Sequence, residues 1–467
     1  VSARSELELA GQVIDLVRRI GGPDVAAEAV VTRADLALTR FANSFIHQNV
    51  AESGVAVRLR VHVDGRTAAA NGSSVSPEGV RTLVERTLAA ARLGPPDPAW
   101  PGLTAATPTP SSGPVDEATA YADPDQRAER VRAFVDAAGG LETAGYCRTT
   151  HRSSGFANSA GHSAYGHAVE AAMDGIARAG GADGVARLCA DRLADLDGAV
   201  LGARAAAKAR AAVDPVELPP GRYEVVFEPA AVADLLQNLS WYGFNGKRHA
   251  ERQSFAEPGV AQFDPAVTVV DDPLSAVDLP FDVEGTPRRR LTLVESGTTR
   301  AVVHDRRTAA DAGTHSTGHG IAGGASFGPI PRNLRLLGRD GADGDTDGTA
   351  GLPTVGAVAD RDTAALVAQV ERGLLVSDLW YTRVLDPKSL VVTGLTRNGV
   401  WLVEDGQVTS AVRDFRFTES YPRAMGPGRV LGVGREPVRQ PDRLDGVWWT
   451  APPLRLAAWN FTGGASG

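Results

Sequence analysis

The sequence predicts an α+β protein: an N-terminal half of helices and sheet, then a β-dominated C-terminal half. Three observations carry this. Early segments switch between helical spacing and two-residue alternation. A proline-bounded break runs from Asp214-Pro215 to Pro219-Pro220. Beyond it, short Val-rich runs are punctuated by Asn398-Gly399 and Asp405-Gly406. The predicted boundary separates residues 1–214 from 215–467.

The elements follow in order. Ser5-Glu6-Leu7-Glu8 reads as a capping box, because a Ser hydroxyl and a Glu three residues on can satisfy each other's backbone donors. Leu9, Val13, Leu16 and Ile20 then recur at helical spacing up to Gly21-Gly22-Pro23. Val55, Val57, Leu59, Val61 and Val63 alternate with Ala56, Arg58, Arg60 and His62, a half-buried strand. Asp64-Gly65 predicts a tight hairpin, with Arg66 to Asn71 as the return strand. Ser76-Pro77 opens a helix that buries Val80, Leu83, Val84, Leu88 and Ala91. Residues 94–117 are rich in Pro, Ser and Thr and predict a surface connection. Asp123-Pro124 opens another helix, with Ala128, Val131, Phe134 and Val135 inward. Phe41-Ala42-Asn43-Ser44 recurs as Phe156-Ala157-Asn158-Ser159, followed by His47 and His162, which suggests a duplicated strand–turn unit. Residues 185–213 read as helix. Beyond the break, Val391 to Val412 reads as a meander with two tight turns, and Thr363 to Arg372 as a short helix.

The 467 residues are 43% hydrophobic and 22% charged, a globular composition. A net charge of −8 without a basic stripe argues against nucleic-acid or anionic-membrane partners. No apolar run approaches the roughly 18 residues that span a bilayer. The opening residues lack the order of a signal peptide. Two cysteines, Cys147 and Cys189, make no disulfide framework, and a reducing cytoplasm is expected.

Few residues can carry chemistry. There is no Gly-x-Ser-x-Gly elbow and no phosphate loop of the Walker kind. Cys189, in Val185-Ala-Arg-Leu-Cys-Ala-Asp-Arg-Leu, reads as a core thiol in a helix-like run. His315 and His319 are the only histidines at metal spacing, but Gly313, Gly318 and Gly320 argue for a cleft-lining loop rather than a helix. Asp343, Asp345 and Asp347 imitate the start of a calcium loop, whose twelfth position needs a bidentate Glu and here holds Thr354; a surface loop is expected.

Several strings converge, in order, on one family. Leu38-Thr39-Arg40-Phe41-Ala42-Asn43-Ser44 with His47-Gln48-Asn49 resembles the N-terminal signature of the TldD/PmbA proteins. Ser316-Thr317-Gly318-His319, Asn333-Leu334, Glu371 to Val376, Thr396 to Val400 and Glu404-Asp405-Gly406 resemble it further along. The resemblance implies two kinds of subunit. TldD-type subunits hold a catalytic metal on a helix through His-Glu-x-x-x-His. PmbA-type (TldE-type) subunits lack that motif and pair with the first kind. The corresponding apolar run here is Asp234-Leu235-Leu236, so Gln237, Asn238 and Tyr242 stand where His, Glu and His would be. Amides are poor zinc ligands and cannot take a proton from water near neutral pH.

The resemblance therefore implies a non-metal-binding subunit of a heterodimeric metallopeptidase for small or unfolded peptides. No cofactor is expected in this chain, and zinc is expected in the partner. His315, His319, Arg397 and Asn398 are the candidates for lining the substrate cavity; Arg397 could grip a carboxylate through its planar fork. Hairpin chemistry alone would also explain Arg397 and Asn398. The alternatives are a stand-alone hydrolase using His315 and His319, a tailoring partner for peptide-derived natural products, and a non-enzymatic scaffold. A homodimer of the isolated chain is the common default.

Overall fold

The structure, a computed structural model, describes residues 5–273, 277–341, 358–441 and 446–464. It is α+β, as the patterning predicts. Helix α1 (Ser5–Gly21) buries Ala10, Val13, Ile14 and Val17; Ser5 is its first helical residue rather than its cap. Strands β1 (Ala26–Ala42), β2 (Phe45–Val63) and β3 (Arg66–Gly72) follow. Strand β2 begins at Phe45, well before Val55; residues 45–54 mix Phe45, Ile46 and Val50 with polar residues on both faces and so carry no alternation to read. Asp64 and Gly65 take φ of 51° and 70°, the turn their identities demand. Helix α2 (Pro77–Leu93) starts on Ser76, whose hydroxyl accepts from the Gly79 N–H at 3.1 Å.

The Pro-rich stretch before α3 (Glu117–Ala120) is more than a surface connection. Thr104 is buried and donates to the Glu284 carbonyl at 2.7 Å, and Arg306 donates to the carbonyls of Pro101 and Leu103. Proline cannot join a ladder, so side chains from the C-terminal half pin this strap instead. Helix α4 (Pro124–Ala137) carries a full capping box between Asp123 and Gln126. Strands β4 (Glu142–Asn158), β5 (Ser163–Ala179) and β6 (Ala182–Ala190) come next. The helical reading of 185–213 is corrected in part: β6 pairs with β5 along its whole length and holds Cys189, and helix α5 (Gly198–Ala211) begins later. Pairing with β5 and burial of Val185, Ala186, Leu188 and Cys189 override the helical propensity of the Ala and Leu residues.

These six strands form one antiparallel sheet in the order β3-β2-β1-β4-β5-β6. It is a local two-fold duplication. Helix α1, the β1-β2-β3 meander and α2 are repeated by α4, the β4-β5-β6 meander and α5. In the central pair Phe41 faces Gly145 and Phe156 faces Val30, so each Phe-Ala-Asn-Ser string closes the first strand of its copy. The two histidines are not equivalent. His47 is exposed on β2, whereas His162 is buried in a longer turn, with Nε2 2.7 Å from the Gly285 carbonyl oxygen.

The C-terminal half runs β7 (Gly221–Phe227), α6 (Pro229–Asn238), a π turn over Leu239–Gly243, α7 (Gly246–Ala250), β8 (Val269–Asp271), β9 (Leu291–Glu295) and β10 (Thr298–Thr299). Then come α8 (Arg306–Asp311), α9 (Gly324–Phe327), β11 (Asn333–Leu336) and α10 (Arg361–Val367). The predicted helix 363–372 ends early because β12 (Arg372–Asp386) must start its ladder. Strand β13 (Val391–Glu404) runs straight through Asn398-Gly399, which form a bulge with φ of 60° and 126° and not the predicted hairpin turn. Asp405-Gly406 is a tight turn, as expected, into β14 (Gln407–Ala411). The chain closes with β15 (Phe415–Ser420), α11 (Tyr421–Ala424), β16 (Val430–Val433), β17 (Val438–Arg439), β18 (Trp448–Ala451) and β19 (Leu454–Gly464).

Strands β12, β7, β19, β15 and β13 pair in a closed ring, since β13 returns to β12. Closure removes the edges that an open sheet would expose. The other sheet is ordered β10-β9-β8-β11-β18-β17. Helix α6 packs between ring and sheet, in the largest core, with Phe227, Leu235, Leu374 and Trp459. Asp343, Asp345, Asp347 and Thr354, the calcium-like stretch, lie outside the described residues. Among the described residues no helix is long and apolar enough to cross a membrane.

Candidate functional site

Helix α6 starts at Glu228-Pro229, where proline's missing N–H costs nothing. Glu228 is buried against Lys208 and Arg204 of α5, and Ser377 donates to it at 2.6 Å. Burial pushes the Lys208 ammonium down to about 8, opposed by the Glu228 charge. The C-terminal end of α6 passes into the π turn, where the Phe244 N–H donates to the Leu239 carbonyl at 2.9 Å. Gln237 lies in the last turn of α6, just before the π turn, and Tyr242 lies within it; both are half-buried.

Asn238 is buried and already committed. Its Nδ2 donates to the Asp234 carbonyl at 3.0 Å and lies 3.5 Å from the Thr382 hydroxyl. Thr382 donates to Asp234 Oδ2 at 2.9 Å, and the Tyr421 hydroxyl donates to Asp234 Oδ1 at 3.0 Å. Burial and the Asp234 carboxylate drive the Tyr421 phenol well above its ordinary value. Sequence reasoning missed Asp234, Thr382 and Tyr421; a carboxylate inside an apolar helical run was the available signal. The set Gln237, Asn238 and Tyr242 does not fit zinc, which takes imidazole, thiolate or carboxylate. Among the described residues no group of three or more His, Cys, Asp or Glu could hold a metal ion.

Thr382 connects this helix to the β12–β13 arm. There Tyr381 takes φ of 51° and, with Trp380, is exposed. The Arg397 guanidinium lies 4.9 Å over the Trp380 ring, and Arg383 4.3 Å over Tyr381. Asn398 donates to Asp378 at 3.2 Å, and Asp378 also accepts from Arg187 of β6 at 2.9 Å. Arg397, Asn398 and Gly399 line a cleft of about 900 Å³, with the 212–220 linker and the β5–β6 turn as its other walls. The adjacent aromatics Trp380-Tyr381 were a signal left unread.

His315 and His319 belong to neither feature. Both lie on a loop after α8, as the glycines predicted. His315 is exposed. His319 is fully buried, with Nε2 2.9 Å from Asp271 Oδ2 and Nδ1 2.9 Å from the Thr317 hydroxyl. Asp271 also accepts from Arg288 at 3.1 Å and from the backbone N–H groups of Arg332 and Asn333. His319 and Arg288 hold its carboxyl far below the usual range against the opposing effect of burial. His319 is thus a core histidine in an ionic cluster. Cys147 and Cys189 are free and buried, and burial raises the Cys147 thiol to about 12.

The sequence profile of the PmbA/TldA metallopeptidase C-terminal domain matches residues 220–463. No curated protein matches the chain. Among solved structures, TldE from Thermococcus kodakarensis is 21% identical, with a TM-score of 0.81, covering 97% of this chain and 100% of that one. A Thermotoga maritima protein described as a proposed modulator of a DNA gyrase is 17% identical, with a TM-score of 0.76, covering 97% of this chain and 99% of that one. A Bacteroides thetaiotaomicron protein described in similar words is 17% identical, with a TM-score of 0.77 and 98% of both chains covered. A profile that spans more than half of the chain, with the ring and second sheet inside it, shows that this protein belongs to the PmbA/TldD metallopeptidase family.

Proposed function

We propose that this chain is the TldE-type, non-metal-binding subunit of a heterodimeric PmbA/TldD peptidase. It completes a cavity for small or unfolded peptides and leaves hydrolysis to a partner that carries His-Glu-x-x-x-His and zinc. One observation carries the reading. The positions that the family's two imidazoles would take hold an amide and a phenol here, Gln237 in the last turn of α6 and Tyr242 in the π turn that follows. Asn238, in the place of the general base, is instead tied to Asp234 and Thr382. Likeness to the Thermococcus TldE supports the same assignment. The exposed Trp380, Tyr381 and Arg397 are well suited to an extended peptide, through aromatic contact and carboxylate pairing.

The test is reconstitution. The purified chain is mixed with the cognate His-Glu-x-x-x-His subunit, and peptide hydrolysis and complex mass are measured. A stable one-to-one complex, with hydrolysis well above that of either subunit alone, is expected. No complex and no gain in hydrolysis would defeat the proposal.

A further inference from the structure

The two-fold duplication compares one surface with another inside the same chain. In the second copy, the outer edge of β5 over residues 163–170 lies beyond the reach of β6, which pairs only from Ala171 onward. This edge is covered. The His167 N–H donates to the Ser112 hydroxyl at 2.9 Å, and the His167 ring contacts the Gly113 carbonyl at 3.0 Å. The adjoining face is covered as well: Pro280 sits so close to Gly166 that a Cβ on that residue would meet the Pro280 Cδ at 2.4 Å. The Trp448 indole donates to Glu170 at 2.6 Å. Ala164, Gly166, Ala168, Val169 and Glu170 are all buried.

The first copy offers the same edge bare. Strand β3 pairs with β2 only from Val57 onward, so residues 45–56 have a paired strand on the β1 side alone among the described residues. Register fixes the correspondence. Leu38 and Ser153 each lie three residues before the repeated Phe; Leu38 faces Val50 on β2 and Ser153 faces His167 on β5. Val50 therefore occupies the place whose counterpart bonds to the strap. His47, Gln48, Asn49, Ala51, Glu52, Ser53 and Gly54 are exposed, and Phe45 is 57% exposed. The segment contains neither Lys nor Pro, the usual guards of an open edge, and its one acidic residue is Glu52.

We infer that the outer edge of β2 over Phe45–Ala56 is the docking surface for a non-helical segment of the metal-bearing subunit. That segment plays the part that Ser112 and Gly113 of the Pro-rich strap play for β5 within the chain. Such a segment would recreate, between subunits, the coverage that the second copy has within the chain. The inference rests on the proposed heterodimer and names where it joins.

Hydrogen exchange tests it on the full chain, alone and with the cognate metal-bearing subunit. Slowed exchange over 45–56 in the complex is expected. The double variant Ala51→Lys/Ser53→Lys alters only exposed positions, so its unfolding midpoint should match the parent while the dissociation constant of the complex rises at least tenfold. A complex that leaves 45–56 unprotected, or a double variant that binds as tightly as the parent, overturns the docking surface and leaves the heterodimer standing. Absence of any complex overturns both.

Discussion

His319→Ala separates a structural histidine from a catalytic one. The imidazole is fully buried and gives Asp271 one of four donors; Arg288 and two backbone N–H groups remain after its removal. The carboxylate is not orphaned, so the loss is one charge-assisted bond, about 1.5–3 kcal/mol. The unfilled ring volume adds on the order of 1 kcal/mol. A total near 3 kcal/mol lowers the unfolding midpoint by about 6–12 °C for a cooperative unit of this size. Thermal unfolding at neutral pH reads the shift, and His319→Gln, which keeps an amide donor, recovers part of it. Acid supplies an independent check. The folded-state pKa of Asp271 lies below its unfolded value, so its contribution is fully present above about pH 4 and fades as the pH falls further. The parent should therefore lose more stability than the variant as the pH falls below about 4. An unchanged midpoint, combined with lost hydrolysis in the reconstituted complex, would refute the structural assignment.

Three further outcomes follow from the geometry. Gly399→Ala puts a Cβ 2.0 Å from the buried Trp401 ring at φ of 126°, so calorimetry should show a loss of at least about 2 kcal/mol. Lys208→Ala removes one partner of the buried Glu228 pair and should cost about 3 kcal/mol in denaturant titration, since Arg204 still faces the carboxylate. Gln237→His/Tyr242→His places two imidazoles across the π turn, and zinc titration of the isolated variant should show binding that the parent lacks; equal binding by both would mean that the two positions do not face a common point.

Much of the fold was legible because local physics agreed with global packing. The Asp64-Gly65 turn, the Ser76 and Asp123 caps and the α2 core face follow from residue types alone. Failures came where tertiary contacts overrule the local signal. Strand β6 looks helical by composition but is paired with β5 throughout. Asn398-Gly399 has hairpin residues but sits inside a strand, because the bulge lets Asn398 reach Asp378. For the site, the identities of Gln237, Asn238 and Tyr242 were readable, whereas the π turn that follows α6 was not, since no residue type specifies i→i+5 bonding. His315 and His319 share a metal spacing, yet one is exposed and the other is locked to Asp271, a partner far away in sequence. Arg397 was readable as a cation, but its stacking on Trp380 needed the β12–β13 register.

The central claim is that the donors presented across the π turn hold no catalytic metal of their own. Zinc content measured by mass spectrometry, on the chain purified alone and equilibrated with zinc, tests it most directly. Substoichiometric zinc that ordinary dialysis removes is expected. One tightly held zinc per chain, together with peptide hydrolysis in the absence of any partner, would contradict it.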